Sequence, residues 1–175
     1  GDTTLSVAQA LDAADATNRV QVQGAMKGFL RYFEATMQLD EGSDELRSYG
    51  ALVNEDYSAV DKYANETGGM AGVYVRKGDG FKLITTSIKT EDGKRPLGQM
   101  LDNAAALAKL RQGEPYTGRI VAGGKPYMGY YLPAKDAGGK VVAVQFIASD
   151  ISVFEGMFEK QVAQTRFFEH GGLYV

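Results

Sequence analysis

Residues 113–148 read GEPYTGRIVAGGKPYMGYYLPAKDAGGKVVAVQFIA, and this stretch decides the fold. It contains three runs rich in β-branched and aromatic residues, Tyr116 to Val121, Tyr127 to Leu132 and Val141 to Ala148, which are separated by glycine-rich turns. Connections as short as these join only antiparallel strands. The stretch therefore predicts three consecutive antiparallel strands.

Two further strands are predicted upstream of this stretch. Ala71 to Val75 and Phe81 to Ile88 flank the turn residues Lys77-Gly78-Asp79-Gly80, which is the pattern of a hairpin. Together the five strands predict one five-stranded antiparallel sheet. The rest of the chain carries helical patterns, so the predicted fold class is α+β.

Helical spacing of apolar residues predicts four helices around the sheet. The first runs from Thr4 to about Leu39, ends at the DEGSD run, and is far longer than a typical globular helix. A second, short packing helix is ended by Thr67-Gly68-Gly69, where glycine tolerates positive φ. The predicted ranges of the three shorter helices are Tyr57 to Glu66, Asn103 to Arg111, and an exit helix from Ile151 to Phe168 that Asp150 caps.

The composition of the 175 residues argues against several functions. A net charge of −3 without a long basic run argues against nucleic acid as a partner, because such affinity comes from clustered Lys and Arg. There is no cysteine, and the one histidine, His170, lies near the end of the sequence without a recognisable nucleophile beside it. The sequence has no metal-binding, phosphate-binding or cofactor motif, and the acidic residues between 40 and 45 are interpreted as a solvated linker. We therefore expect no catalysis, no metal and no cofactor.

Polar side chains occur in the middle of several predicted strands, where each needs a partner. One interpretation is that they line a ligand pocket; the other is that about half of them face solvent on a one-sided sheet. Gln145 is the hardest to place in solvent, because it lies between Val144 and Phe146 in an apolar run. The residues concerned are Thr85, Thr86, Ser87, Arg119, Tyr127, Tyr130, Tyr131 and Gln145.

Cationic residues near these strands indicate what such a pocket would bind. Lys89, Arg95, Arg119 and Lys125, together with tyrosine hydroxyls, would suit a small carboxylate, since a desolvated anion needs charge-assisted donors. The residues thus predict a pocket for a small anionic solute.

The order of these elements and the amino-acid sequences of three segments resemble those of the Cache sensor domains of bacterial chemoreceptors and sensor kinases. The similarity is greatest to the Cache 3/Cache 2 fusion type, through residues 54–69 (NEDYSAVDKYANETGG), 85–101 (TTSIKTEDGKRPLGQML) and 113–144. The resemblance implies a PAS-like sheet with a ligand pocket on one face, and a long first helix that rises from a membrane span. The pocket residues it implies are Thr86, Ser87, Lys89, Arg119, Tyr127, Gly129 and Tyr131.

Strand alternation agrees with part of this implied pocket. Tyr127, Gly129 and Tyr131 are expected to share one face of their strand, while Met128 and Tyr130 face the helix-covered core. Gly129 would leave room for a ligand to approach the backbone. Gln145 is included in the candidate site on the grounds given above.

The resemblance also implies a domain organisation and partners. Residues 1–150 would form the ligand-binding module, 151–170 a connector helix, and 171–175 either the start of a second, similar module or a tail. We expect an extracytoplasmic domain of a membrane-anchored chemoreceptor that forms a homodimer through its long helix and binds an organic acid or similar solute. A histidine kinase, a cyclic-dinucleotide enzyme or a purely structural, protein-binding module remains open as an alternative.

Overall fold

The computed structural model of the protein describes residues 6–152. The predicted exit helix, His170 and the possible start of a second module at 171–175 lie outside the described residues, except for the cap of that helix. There, the Asp150 carboxylate accepts a hydrogen bond from the Ser152 amide at 2.8 Å. None of the described helices is long and apolar enough to cross a membrane.

The predicted five-stranded antiparallel sheet is confirmed, and its strand order places the last described strand in the middle. Its strands are β4 Met70–Lys77, β5 Gly80–Thr86, β6 Tyr116–Ala122, β7 Lys125–Lys135 and β8 Val141–Asp150. The order is β5-β4-β8-β7-β6, so β4 pairs with the hairpin strand β5 on one side and with β8 on the other.

The long helix α1 spans Val7–Leu30 and begins at a capping box, in which Ser6 and Gln9 exchange hydrogen bonds. The prediction that it continues to about Leu39 was wrong. After Leu30 the chain turns, and the Met37 amide donates to the Lys135 carbonyl beside the main sheet. Phe33 and Met37 have helical spacing in the sequence, but they reach the core from this turn and the segment that follows it.

A small antiparallel sheet, which the sequence patterns did not predict, follows α1. Its strands are β1 Gln38–Asp40, β2 Glu45–Ser48 and β3 Ala51–Leu52, in that order. The turn between β1 and β2 contains Asp44, whose side chain is only 12% exposed and forms ion pairs with Lys77 at 2.7 Å and Lys82 at 3.0 Å. Asp44 is therefore a tie between the two sheets, and the interpretation of this residue as solvated linker was wrong.

The two short helices lie close to where they were predicted. Helix α2 spans Ser58–Thr67 and ends at Gly68, which has a φ of 73°. Helix α3 spans Ala104–Leu110, and the Asn103 side chain caps it by accepting from the Ala106 amide at 3.1 Å.

The main sheet has a hydrophobic core on each face. Helices α1 and α2 cover one face, where Phe29 of α1 contacts Tyr63 of α2 with ring centroids 5.7 Å apart. Helix α3 and the segment before it cover the other face, packing on Phe81, Tyr131, Val144 and Phe146. The two faces therefore meet different helices, and this separation decides which strand residues can share a site.

Candidate ligand site on the main sheet

The face of the main sheet toward α3 carries most of the aromatic hydroxyls. Strand pairing places Tyr127 opposite Ile120, and Tyr131 between Tyr116 and Phe146. Met128 lies on the other face, buried in the core with α1 and α2, and Tyr130 packs against that core. We call the α3 side the tyrosine face; its members are Tyr74, Tyr116, Gly118, Ile120, Tyr127, Gly129, Tyr131, Phe146 and Ala148.

Small residues form a row across the middle of the tyrosine face. Gly118 pairs with Gly129, and Gly129 pairs with Ala148, on three adjacent strands. Larger side chains stand around this row: a Cβ at position 129 would lie 3.4 Å from Ile120 and 3.5 Å from Phe146, and one at position 118 would overlap the Tyr116 hydroxyl. Gly118, Gly129 and Ala148 are all buried, so the surrounding side chains cover this row.

The aromatic wall is a connected cluster. The Tyr131 ring lies 4.6 Å from Phe146 and 6.1 Å from Tyr116, measured between ring centroids. Burial, and then the Asp102 carboxylate, raises the pKa of Tyr74 to about 12. Burial raises the pKa of Tyr131 as well, and Tyr74, Tyr116 and Asp102 add to that shift. Both hydroxyls therefore stay protonated at neutral pH and can donate as well as accept hydrogen bonds.

Two tyrosines of this face are only partly buried. The Tyr74 side chain is partly accessible to solvent. Tyr127 is likewise half-buried.

The segment before α3 crosses the tyrosine face. The Leu101 amide donates to the Phe81 carbonyl at 2.8 Å, which fixes the start of this segment at the β5 edge. Helix α3 packs on β6 and β7, at the opposite side of the sheet. Residues 101–103 therefore bridge over β4 and β8, and Asp102, the residue in the middle of this bridge, is exposed.

Thr86 and Ser87, two predicted site residues, lie at the end of β5. Thr86 pairs with Gly72, is fully buried, and donates through its hydroxyl to the Ala71 carbonyl at 3.2 Å. The Ser87 hydroxyl accepts from the Ala71 amide at 3.0 Å. Both hydroxyls thus hold β4 to β5.

Gln145 and Arg119 do not share the tyrosine face. Gln145 pairs with Val73 and Leu132, which belong to the core under α1 and α2, and it is only 4% exposed. Arg119 pairs with Met128 of the same core and is exposed near the sheet edge. The structure therefore separates these two residues from Tyr127, Gly129 and Tyr131.

The other predicted cations are also spread out. Lys89 is exposed in the loop after β5, and Lys125 is exposed at the turn that joins β6 to β7. Arg95 donates to both carboxylate oxygens of Asp61 and to the Thr86 carbonyl, and its guanidinium lies 3.8 Å from the Tyr57 ring centroid. Arg95 is therefore committed to holding the loop after β5 against α2.

Several residues of the tyrosine face were missed from the sequence, among them Tyr74 and Tyr116, and so was Asp102 in the segment that crosses this face. Tyr116 could have been found, because it has the same parity as Gly118 in a predicted strand. Tyr74 needed the pairing of β4 with β8, and Asp102 needed the path of residues 101–103. Neither relation is local in sequence.

A separate cavity of about 240 Å³ lies between the end of α1, the small sheet and the start of α2. Thr85 borders it, and the Thr85 hydroxyl donates to the Asp56 carbonyl at 2.8 Å. The residues that line it are Tyr32, Phe33, Ser48, Tyr49, Ala51, Leu52, Val53, Asp56, Ser58, Ala59, Val60 and Thr85.

Within residues 6–152, no cluster of three or more acidic or histidine side chains could hold a metal ion.

Comparison with known families gives one match. The family model described as the Cache 3/Cache 2 fusion domain matches residues 4–175, nearly the whole chain. No curated protein matches the chain significantly.

Proposed function

The chain belongs to the Cache 3/Cache 2 fusion domain family, whose Cache domains are sensor modules and typically extracytoplasmic, and we propose that it is the small-molecule sensing domain of a bacterial chemoreceptor. Cache domains are not catalytic, which agrees with a composition that lacks cysteine. The proposed ligand site is the tyrosine face.

The observation that carries this proposal is the row of Gly118, Gly129 and Ala148 in register on three strands. The three residues are buried beneath aromatic side chains, and a small solute that displaced those side chains could contact main-chain and hydroxyl groups together. Tyr127, at one border of the row, and Tyr131, at the other, are predicted site residues. Thr86 is connected to Tyr131 through strand pairing, because Tyr131 pairs with Phe146, Phe146 with Gly72 and Gly72 with Thr86.

The proposed transmission route runs from the tyrosine face to α1. Arg95 joins the Thr86 carbonyl, at the end of β5, to Asp61 of α2. Helix α2 in turn contacts α1 through the rings of Tyr63 and Phe29. A ligand that favours one arrangement of the strand ends would bias the position of α1, because its binding energy shifts a two-state equilibrium.

The proposed dimer forms through α1. Two apolar side chains on this helix are exposed, Leu11 at 45% and Val20 at 69%. Ala13, Ala16 and Gly24 are also exposed and small, and they share one side of the helix with Val20, whereas Leu11 lies on the opposite side; a second helix could therefore approach closely along the Val20 side. A membrane-anchored receptor would carry the displacement of two paired helices across the bilayer.

The small organic acid predicted from the sequence has limited support from the described residues. Arg95 is bound to Asp61, and Arg119 lies on the other face of the sheet. Lys125 is the predicted cation near the tyrosine face, at the turn beside Tyr127. Two hydrogen bonds from Ser152 lower the pKa of Asp150, and the charge of Lys125 adds a smaller contribution in the same direction. The acid therefore stays a prediction that a binding screen must test.

A thermal-shift screen of the purified chain tests the proposed sensing function. The panel should contain mono- and dicarboxylates, amino acids, neutral polyols and amines, followed by calorimetric titration of each hit. A ligand at 100 times its dissociation constant should add about 2.7 kcal/mol to the free energy of unfolding. If no class in the panel stabilises the protein, the structural or protein-binding alternative gains and the sensing proposal fails.

Hydroxyl deletions locate the site of any hit. Tyr127→Phe should weaken binding several-fold if the ligand lies on the tyrosine face, because a hydrogen-bonding hydroxyl contributes about 1 kcal/mol. Tyr49→Phe, in the separate cavity at the small sheet, is the matched control. If Tyr49→Phe weakens ligand binding and Tyr127→Phe leaves it unchanged, the site lies in that cavity and the proposed location is overturned.

The receptor class needs a test on the whole protein. Cells that lack the gene should lose their swimming response to the identified ligand in a capillary assay, while responses to other attractants remain. A retained response would exclude the chemoreceptor role and leave a kinase or cyclic-dinucleotide output as the alternative.

A further inference from the structure

We infer that the cavity between the end of α1, the small sheet and the start of α2 is a second binding site, whose ligand is a small, uncharged aromatic molecule. The cavity lies on the α1 and α2 side of the main sheet, because Thr85, which lines it, pairs with Val73 of the core under those helices. The cavity is therefore separate from the tyrosine face, and this second site goes beyond the proposed sensing function.

The size and the lining of the cavity indicate what kind of molecule it can hold. Its volume is about 240 Å³, whereas an apolar cavity of about 150 Å³ is large enough for benzene. Buried Val53 and Val60 line it, together with the aromatic residues Tyr32, Phe33 and Tyr49. A single substituted ring therefore fits this space and would pack on aliphatic and aromatic side chains.

Tyr49 occupies a backbone position that does not suit its side chain. It is the first of the two residues that join β2 to β3, where Ser48 pairs with Ala51, and its φ is 53°. Turns of this type favour Asn or Asp before a glycine, because most side chains are strained at positive φ. Tyr49 is also 72% exposed, so burial of its ring among the described residues offsets little of this strain. A ligand that packs on the ring accounts for a tyrosine at this position.

Two hydrogen bonds fix this turn to the segment that follows α1. The Glu34 amide donates to the Ser48 hydroxyl at 2.8 Å, and the Glu34 carboxylate accepts from the Tyr49 amide. The backbone of Tyr49 is thus held next to the segment that carries Phe33. A ligand would meet a preformed wall and would not have to order a loose turn, which favours binding.

The polar groups of the lining are mostly uncharged and already have partners. The buried Ser48 hydroxyl accepts from the chain as described, and the buried Thr85 hydroxyl donates to the Asp56 carbonyl at 2.8 Å. The Asp56 carboxylate is exposed and accepts from the Ser58 amide at 3.1 Å and from the Ser58 hydroxyl at 2.7 Å. These groups can accommodate a polar substituent on a ligand, but they do not require a charge on it.

The charges around the cavity disfavour an ionic ligand. An anion would meet the carboxylates of Asp56 and Glu34, and none of the described residues that line the cavity is cationic. A cation would have to compete with the hydrogen bonds that both carboxylates accept, and Lys62 already lies over the Tyr32 ring at 5.7 Å. Because an ion that leaves water without a partner loses much free energy, an uncharged molecule is favoured here.

Three monocyclic aromatic compounds test the inference by calorimetric titration of the complete chain: benzyl alcohol, benzoate and benzylammonium. They share one ring, are similar in size and differ in charge. We expect benzyl alcohol to bind at least about tenfold more tightly than either ion. Tyr127→Phe, on the tyrosine face, should leave the binding of benzyl alcohol unchanged.

Tyr49→Asn should weaken the binding of benzyl alcohol at least about tenfold and raise the Tm by about 2 to 4 °C, because asparagine tolerates the positive φ at this position. Misfolding cannot explain a loss of binding in a protein that has become more stable. Gly50→Asn is the matched control, since it changes the other residue of the same turn, outside the lining, and should leave binding unchanged. Ala59→Leu enlarges a lining side chain on α2 and should also weaken binding.

Unchanged binding of benzyl alcohol to Tyr49→Asn or to Ala59→Leu would overturn the inference, as would equal or tighter binding of either ion. If the wild-type protein does not bind benzyl alcohol although Tyr49→Asn raises the Tm, the exposed ring serves a contact with another protein and the small-molecule site is excluded. These outcomes leave the sensing function untouched, because that function depends on the thermal-shift screen and on Tyr127→Phe.

Discussion

The guanidinium of Arg95 donates to both carboxylate oxygens of Asp61, at 2.7 Å and 2.9 Å, although the two residues are 34 positions apart in the sequence. The same guanidinium stacks on Tyr57 and donates to the Thr86 carbonyl. Hydrogen bonding from Arg95 lowers the pKa of Asp61, even though burial opposes that shift. One side chain thus connects α2 with the strand end that borders the tyrosine face.

Arg95→Lys should reduce the free energy of unfolding by about 1 kcal/mol. Lysine keeps the charge but loses the fork that binds two oxygens and the flat surface that stacks on a ring. Urea unfolding of Arg95→Lys, Asp61→Asn and the double variant would measure the coupling between them. Lys94→Arg, at the exposed neighbouring position, should leave the free energy of unfolding unchanged. If the two single variants lose similar stability and the double variant loses the sum of both, the two side chains do not interact directly.

Asp44→Asn should destabilise the protein at neutral pH by about 1 kcal/mol, since it leaves Lys77 and Lys82 without their carboxylate. Asparagine suits the position because it tolerates the φ of 60° found there. The stability difference should also depend on pH. Hydrogen bonds from Lys77 and then Lys82 lower the pKa of Asp44 below its usual 3.8, so its contribution is present above that value and disappears as the pH falls through the lowered pKa.

Urea unfolding at several pH values checks this prediction. The gap between wild type and Asp44→Asn should be constant near neutral pH and close under acid conditions. Asp12→Asn should show no such closing gap. A gap that stays constant at low pH would mean that Asp44 acts through its backbone conformation instead of its charge.

Two glycines should respond to alanine in opposite directions. Gly24 lies inside α1 with open space where a Cβ would stand, so Gly24→Ala should stabilise by about 0.5 to 1 kcal/mol. Gly68 also has open space, but its φ is 73°, and Gly68→Ala should destabilise by about 1 kcal/mol or more. Thermal unfolding of both variants measures the contrast; equal signs would show that the end of α2 is not fixed by this backbone conformation.

Val20→Glu should disrupt the proposed α1 dimer without unfolding the protein. Val20 is 69% exposed, so the substitution should change the free energy of unfolding of one protomer by no more than about 0.5 kcal/mol. Two introduced carboxylates in one helix interface would repel each other and weaken the dimer by at least about tenfold. Sedimentation velocity measures the shift; Arg31→Glu, near the end of α1, serves as the charge control, and a dimer that persists in Val20→Glu would exclude this interface.

Local patterns predicted the strands of the main sheet and two of the helices correctly, and they failed where local and long-range signals conflict. Phe33 and Met37 continue the helical spacing of α1, but Phe33 packs against the core from a turn, and Met37 is buried where its amide bonds to the Lys135 carbonyl. The strands β1 and β2 have only three and four residues, which is too short for alternation to be recognised. The formation of such short strands depends on hydrogen bonding to neighbouring strands, and the spacing of residues within one segment carries no information about that pairing.

The candidate site divides in the same way. Tyr127, Gly129 and Tyr131 were placed together because residues two apart in one strand share a face. Gln145 and Arg119 lie on other strands, and their side of the sheet depends on register with β7, which a one-residue slip would reverse. The face of the sheet on which Thr86 lies could be assigned only from its pairing with Gly72.

The sequence by itself determined the five strands of the main sheet, the glycine-ended α2 and the common face of Tyr127, Gly129 and Tyr131, because turn residues and side-chain periodicity act over a few residues. Only the tertiary structure decided that β8 enters the sheet between β4 and β7, that Asp102 crosses the tyrosine face, and that Gly118, Gly129 and Ala148 align as a row. Those features join residues far apart in the chain, and their positions are fixed by strand register and by the packing of side chains on the two faces of one sheet.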